Sequence, residues 1–133
     1  MTQVDDVQAS YGRCLRDRKF ISRFYELLLE KDSRIRAMFE GTNWNQQQRM
    51  LRRGISISLT YASGSNAVRR SMDEMAEVHS RTGRCPVPPA YYQHWCDALV
   101  QAVSEFEPRM KPGLEESWRQ ALKPTTEHFA DQY

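Results

Sequence analysis

The chain has 133 residues, 40% of them hydrophobic, which gives room for a single domain over residues 1–133 and none for a fused reductase, kinase or cyclase module. Nineteen Lys and Arg against seventeen Asp and Glu leave a net charge of +2, so neither a nucleic-acid nor a membrane partner is expected. The uncharged run from Gly54 is too short and polar to span a bilayer, the N-terminus shows no signal region, and Cys14, Cys85 and Cys96 form no disulfide framework, which predicts a reduced, cytoplasmic protein.

Val4 to Arg16 carries only a weak helical pattern and is expected to form a poor helix. Lys19 to Lys31 sets Phe20, Phe24 and Leu27/Leu28 on one face, and Ser33 to Phe39 adds one or two further turns. The run from Gly54 to Tyr61 alternates with period two, the one strand-like signal. It lies inside a longer stretch with helical spacing at Gln47, Leu51, Ile55, Leu59 and Ala62, and reads as helix. Val68 to Arg81 carries Val68, Met72, Met75/Ala76 and His79 on one face, with Gly83 as a stop signal. Pro89 is placed in the first turn of the next helix, whose stripe is Tyr92, Trp95/Cys96, Leu99, Val103 and Phe106. Pro112 opens the last helix, with Leu114, Trp118, Leu122 and Phe129 inward, and Pro124 should kink that helix or weaken its final turns. The expected class is all-α, with six to seven helices.

The three histidines are not equivalent. His94 lies beside the apolar stripe of its helix and His128 sits between Glu127 and Asp131, whereas His79 continues an apolar face. A neutral imidazole facing an apolar pocket suits a haem ligand, since one nitrogen binds iron while the other donates to a nearby acceptor. A core histidine satisfied by a backbone carbonyl has the same pattern. Cys85, His94 and Cys96 match no closed zinc site. No nucleophile elbow or glycine-rich phosphate loop is present. Arg49, Arg52, Arg53, Arg69 and Arg70 form basic clusters that read as solvated helix faces.

The segment from Phe24-Tyr25 to Phe39, fourteen residues after the tyrosine, resembles the B and C helices of bacterial globins. The stretch Gly41 to Leu51 is similar to the start of the globin E helix, Met75 to His79 to the F helix ending in the proximal histidine, Pro89 to Trp95 to the start of the G helix, and Leu114 to Leu122 to the H helix. The resemblance covers nearly the whole chain and implies a globin fold packed around haem b, iron protoporphyrin IX. It implies His79 as the fifth iron ligand and Phe39 stacked on the porphyrin. Tyr25 and Gln47 would line the distal side, where both can donate a hydrogen bond to dioxygen. Leu51 would restrict the space there, and Met75, Val78, Tyr92, Trp95 and Leu99 would wall the pocket. Gln46, Gln47 and Gln48 are adjacent, and Gln47 is preferred because Leu51 then follows one turn later on the same face. One or two arginines, among those clusters or Arg81 and Arg84, would pair with haem propionates.

Reversible binding of dioxygen at five-coordinate iron is the function the resemblance implies, with NO and CO as further ligands. NO oxidation with a separate reductase would be an added activity. A haem-based gas sensor signalling to a separate partner and a haem-free globin-like interaction domain are the alternatives. The chain departs from the family pattern in a long connection from Thr82 to Pro89 and in Pro124.

Overall fold

The computed structural model describes residues 2–133. Seven α-helices and one 3₁₀ turn account for the regular structure, with no strand among the described residues.

Helix α1 (Gln3–Cys14) is better formed than its sequence pattern suggests. Thr2 Oγ1 accepts the Asp5 N–H at 3.1 Å while the Asp5 carboxylate accepts the Thr2 N–H at 3.0 Å, a reciprocal cap on two otherwise unpaired donors. Val7, Ser10, Tyr11 and Cys14 are buried at helical spacing. The polar member of that stripe, Ser10, disguised it: its hydroxyl bonds the Glu107 carboxylate and accepts the Trp118 indole N–H at 3.0 Å. Glu107 also takes Arg13 Nε at 2.7 Å and the Arg109 N–H at 2.9 Å, which ties α1 to the far ends of two later helices. Burial alone would raise the Glu107 carboxyl, but the bonds from Arg13, Ser10 and the Arg109 N–H outweigh it and hold the group below its ordinary value.

Helices α2 (Lys19–Lys31) and α3 (Ser33–Met38) follow the expected spans, the second capped by Asp32, whose carboxylate accepts the Arg34 N–H at 2.8 Å. Helix α4 (Trp44–Ala62) starts on Asn43, which accepts the Gln46 N–H at 3.2 Å, and contains the whole period-two run. After the 3₁₀ turn Asn66–Val68, helix α5 (Arg69–Val78) ends three residues earlier than the expected Arg81. Its stop is the chain itself, which folds back so that Val78 and His79 carbonyls accept the N–H groups of Cys85 at 2.9 Å and Val87 at 3.0 Å.

Helix α6 (Tyr91–Phe106) begins two residues after Pro89, correcting the placement of that proline in its first turn. The Pro88 and Pro89 carbonyls instead form a lead-in turn to Tyr91 and Tyr92. Pro112 likewise lies before α7 (Leu114–Asp131), and Gly113, at φ +86°, makes the sharp entry between them. Helix α7 runs through Pro124 without interruption, with Thr125 and Phe129 buried beyond it. Packing of those final turns compensates for the missing hydrogen bond.

The principal packings are α2 on α6, α4 on α7 and α1 on α7. They enclose a large core around Phe20, Phe24, Leu99, Trp118 and Leu122. A second, smaller cluster of Ile57, Met72, Ala76 and Phe129 joins α5 to α4 and α7. No helix of the described residues is long and apolar enough to cross a membrane.

Candidate functional site

His79 occupies the residue that ends α5, half-buried on the edge of the smaller core. Its Nδ1 lies 2.9 Å from the Met75 carbonyl oxygen. A carbonyl can only accept, so Nδ1 carries the hydrogen and the Nε2 lone pair is available. No hydrogen-bond partner for Nε2 is found among the described residues. Burial pushes the His79 pKa below its ordinary value, against the smaller opposing pull of the Met75 hydrogen bond, so the ring is neutral near pH 7. Its ring centroid lies 5.4 Å from Phe129, and its backbone carbonyl is fixed by Val87. The bond to the Met75 carbonyl thus sets the tautomer of the ring and holds its orientation.

Met75 and Val78 stand half-buried on the same helix, and Met75 and Tyr92 pack against the smaller cluster. The Tyr92 hydroxyl is buried without a partner among the described residues, and burial, reinforced by Tyr133, raises its pKa to about 12. The other two histidines are employed differently. His128 lies 2.9 Å from Asp73 and bridges α7 to α5, an interaction that its neighbours in sequence do not suggest. His94 sits half-buried beside the Tyr91 ring at 6.4 Å.

Across the fold, the buried Tyr25 hydroxyl of α2 meets Gln47 of α4 twice. It donates to the Gln47 carbonyl at 3.4 Å and accepts from the Gln47 side-chain amide at 3.1 Å. Burial raises the Tyr25 pKa to about 12, opposed by the amide, so the phenol keeps its proton. The neighbouring glutamines do other things: the Gln46 N–H serves the α4 cap and the Gln48 amide donates to Ser22 Oγ at 3.2 Å. Of the three adjacent glutamines, Gln47 is therefore the one whose side chain bonds Tyr25.

Phe39 packs edge-on to Tyr25 at 5.7 Å. Trp44, which the sequence reading passed over, completes an aromatic triad: it stacks on Phe39 at 5.7 Å and 13° and stands edge-on to Tyr25 at 5.1 Å. Its spacing of three residues before Gln47 on one helix was the available signal. Leu51 follows one turn after Gln47, and it, Phe39 and Trp95 pack half-buried against the larger core, in which Leu99 is fully buried. Gly54 continues the Gln47–Leu51 stripe, and no atom lies within 4 Å of where its Cβ would stand.

The chemistry of this set suits a planar apolar group with a metal centre. Helices α4, α5 and α6 contribute Leu51, Met75, Val78 and Trp95, apolar side chains left partly exposed in a chain that buries most others. The unhindered position at Gly54 and the unpartnered imidazole nitrogen fit such a group as well. Cys85, His94 and Cys96 form no metal site, and no cluster of three or more His, Cys, Asp or Glu among the described residues could hold one. Arg70 pairs with Glu74 at 3.2 Å and Arg81 lies over the Tyr133 ring at 5.0 Å.

The same architecture is found in a solved structure. A Pseudomonas aeruginosa protein, structurally highly homologous to a human haemoglobin, superposes with a TM-score of 0.90 at 31% sequence identity, over 99% of this chain and 98% of that one. The chain belongs to this globin-like family. No protein-family model matches the sequence, and no curated protein sequence matches it. Helices α2, α4, α5, α6 and α7 cover the stretches whose motifs resemble the globin B, E, F, G and H helices. Tyr25 and Gln47 meet between α2 and α4, and His79 closes α5.

Proposed function

We propose that this globin-like protein binds haem b, with His79 Nε2 as the protein's ligand to iron, and that it reversibly binds dioxygen, with NO and CO as further ligands. The observation that carries the reading is His79 itself. Its Nδ1–H is committed to the Met75 carbonyl and its Nε2 lone pair has no other partner among the described residues. A depressed pKa keeps that lone pair unprotonated at neutral pH. Haem held by His79 would supply the iron chemistry of reversible diatomic-ligand binding.

The remaining contributions are the chain's own. Phe39, Leu51, Met75, Val78, Tyr92, Trp95 and Leu99 supply the apolar walls that exclude water and grip the porphyrin. Tyr25 and Gln47 supply donors for a ligand that carries partial negative charge. The second amide hydrogen of Gln47 is not used by Tyr25, and the tyrosine hydrogen is held only by a long 3.4 Å bond that a better acceptor can replace. Each donor is worth roughly 0.5–1.5 kcal/mol to such a ligand.

The test is spectroscopic. Purified protein, or protein mixed with hemin, is expected to show a Soret band that shifts on reduction and on addition of CO. His79→Ala is expected to lose most haem affinity, while His94→Ala and His128→Ala keep it. Protein that takes up no hemin, or a Soret band abolished by His94→Ala and not by His79→Ala, would refute the assignment.

A further inference from the structure

We propose that Trp44 is the door through which a ligand reaches the Tyr25–Gln47 pair, and that it favours diatomic ligands over larger ones. The proposal rests on the haem reading above for the identity of the ligand, but the door itself stands on contacts between side chains.

Trp44 is one of few large apolar residues left at the surface, 37% exposed, yet it is in contact with a tyrosine that is 4% exposed. The indole lies flat on Phe39 and edge-on to Tyr25, so it stands over one side of the buried phenol with its outer side in solvent. An exposed tryptophan held by two aromatic contacts has a modest hold, since such pairs are weak individually. Swinging it off Phe39 uncovers Tyr25, a member of the larger core, while half-buried Phe39 keeps its own edge-on contact with that tyrosine.

Its backbone setting allows that movement. Trp44 is the first residue of α4, and the connection before it contains Gly41 at φ +73°, between exposed Glu40 and half-buried Thr42. Gln47, one turn later, is held by Tyr25 through its amide, so the hydrogen-bonded pair stays in place while the indole moves. A door that must rotate admits a two-atom ligand on a small displacement and a longer ligand only on a large one.

Two measurements test the inference. The first needs no haem: the protein as purified is treated with tetranitromethane and the nitrated tyrosines are located by mass spectrometry. Tyr25 is expected to be protected in the wild type and nitrated at least fivefold faster in Trp44→Ala, with Trp44→Phe in between. Circular dichroism and urea unfolding verify that both variants are folded, and Trp44→Phe, which keeps an aromatic stack, serves if Trp44→Ala is not. The second measurement uses haem-loaded protein and laser photolysis. Trp44→Ala is expected to raise CO association and dissociation several-fold in equal proportion, leaving the affinity within twofold, and to raise n-butyl isocyanide association by a larger factor. Equal Tyr25 nitration in wild type and variants would overturn the door. So would CO rates unchanged in haem-loaded variants, or a rise in dissociation alone, which would make Trp44 a brace for Tyr25. Failure to load haem with Tyr25 still unmasked by Trp44→Ala would refute the haem reading and, with it, the assignment of the ligand.

Discussion

Gly83→Ala should be among the most damaging single-methyl changes in the molecule, and the reason is steric. A Cβ at Gly83 would stand 2.1 Å from the Glu77 carbonyl oxygen and 2.4 Å from that of Val78, both backbone atoms at the end of α5. Carbon and oxygen do not approach that closely, so the loop must retreat by about 1 Å. The retreat falls on a segment held by two bonds, Cys85 N–H to the Val78 carbonyl at 2.9 Å and Val87 N–H to the His79 carbonyl at 3.0 Å. Losing both costs about 2 kcal/mol, against roughly 0.5 kcal/mol returned by the smaller entropy of an unfolded alanine chain. Urea unfolding should therefore show a net loss of about 1.5 kcal/mol. Because Val87 fixes the His79 backbone, hemin loss to an excess of a scavenging apoprotein should also accelerate several-fold. Gly12→Ala is the matched control: it is an exposed position within α1 with nothing within 4 Å of its Cβ, and alanine there should stabilise by about 0.5–1 kcal/mol. A Gly83→Ala protein as stable as the wild type would refute the steric argument.

Tyr25→Phe should raise the dioxygen dissociation rate about tenfold, the factor for roughly 1.4 kcal/mol of lost donor stabilisation, with a smaller rise of the same sign in Gln47→Leu; stopped-flow release unchanged in both would remove the pair from the ligand's environment. Arg13→Ala strands the Glu107 carboxylate, whose side chain has no solvent exposure, and should cost about 3 kcal/mol in denaturant unfolding, with Ser10 and the Arg109 N–H limiting the loss. The pH dependence of stability carries the mark of His79. Its folded pKa lies below the ordinary 6.5, so the unfolded chain binds the extra proton and stability falls as pH drops from about 6.5 through the lower folded value. Unfolding of the haem-free protein between pH 5 and 8 should show that decline in the wild type and a smaller one in His79→Gln; parallel curves would mean the imidazole is not held neutral by burial.

Much of the fold was legible because helix periodicity is a local property. Lys19–Lys31 emerges with both ends correct, since its apolar stripe is uninterrupted and its flanks are polar. The apparent period of two in Ile55, Ile57 and Leu59 has a tertiary origin. All three are buried because α4 lies between two clusters, Ile55 and Leu59 facing the larger and Ile57 the smaller. A helix buried on two sides shows apolar residues at spacings that mimic a strand. Helix α1 erred the other way: its stripe includes Ser10, which is inward because Glu107 and Trp118, about a hundred residues later, supply its partners.

The candidate site divides along the same line. Local pattern places most of the helices and sets His79 at the end of an apolar face, and Tyr25, Gln47 and Phe39 stand at spacings that resemble those of bacterial globins. The Nδ1–H bond of His79 to the Met75 carbonyl, which sets its tautomer, was legible only in the structure, because it depends on the side-chain rotamer at the end of α5. Tertiary structure decided the rest. The spacing to Leu51 favours Gln47 among three consecutive glutamines, but only the crossing of α2 over α4 gives Gln47 to Tyr25 and Gln48 to Ser22. The same crossing brings Trp44 onto Phe39 and Tyr25, and the return of α7 past α5 joins His128 to Asp73. These contacts depend on the angle and register at which whole helices meet. That geometry is set by the summed packing of the core, which no short stretch of sequence contains.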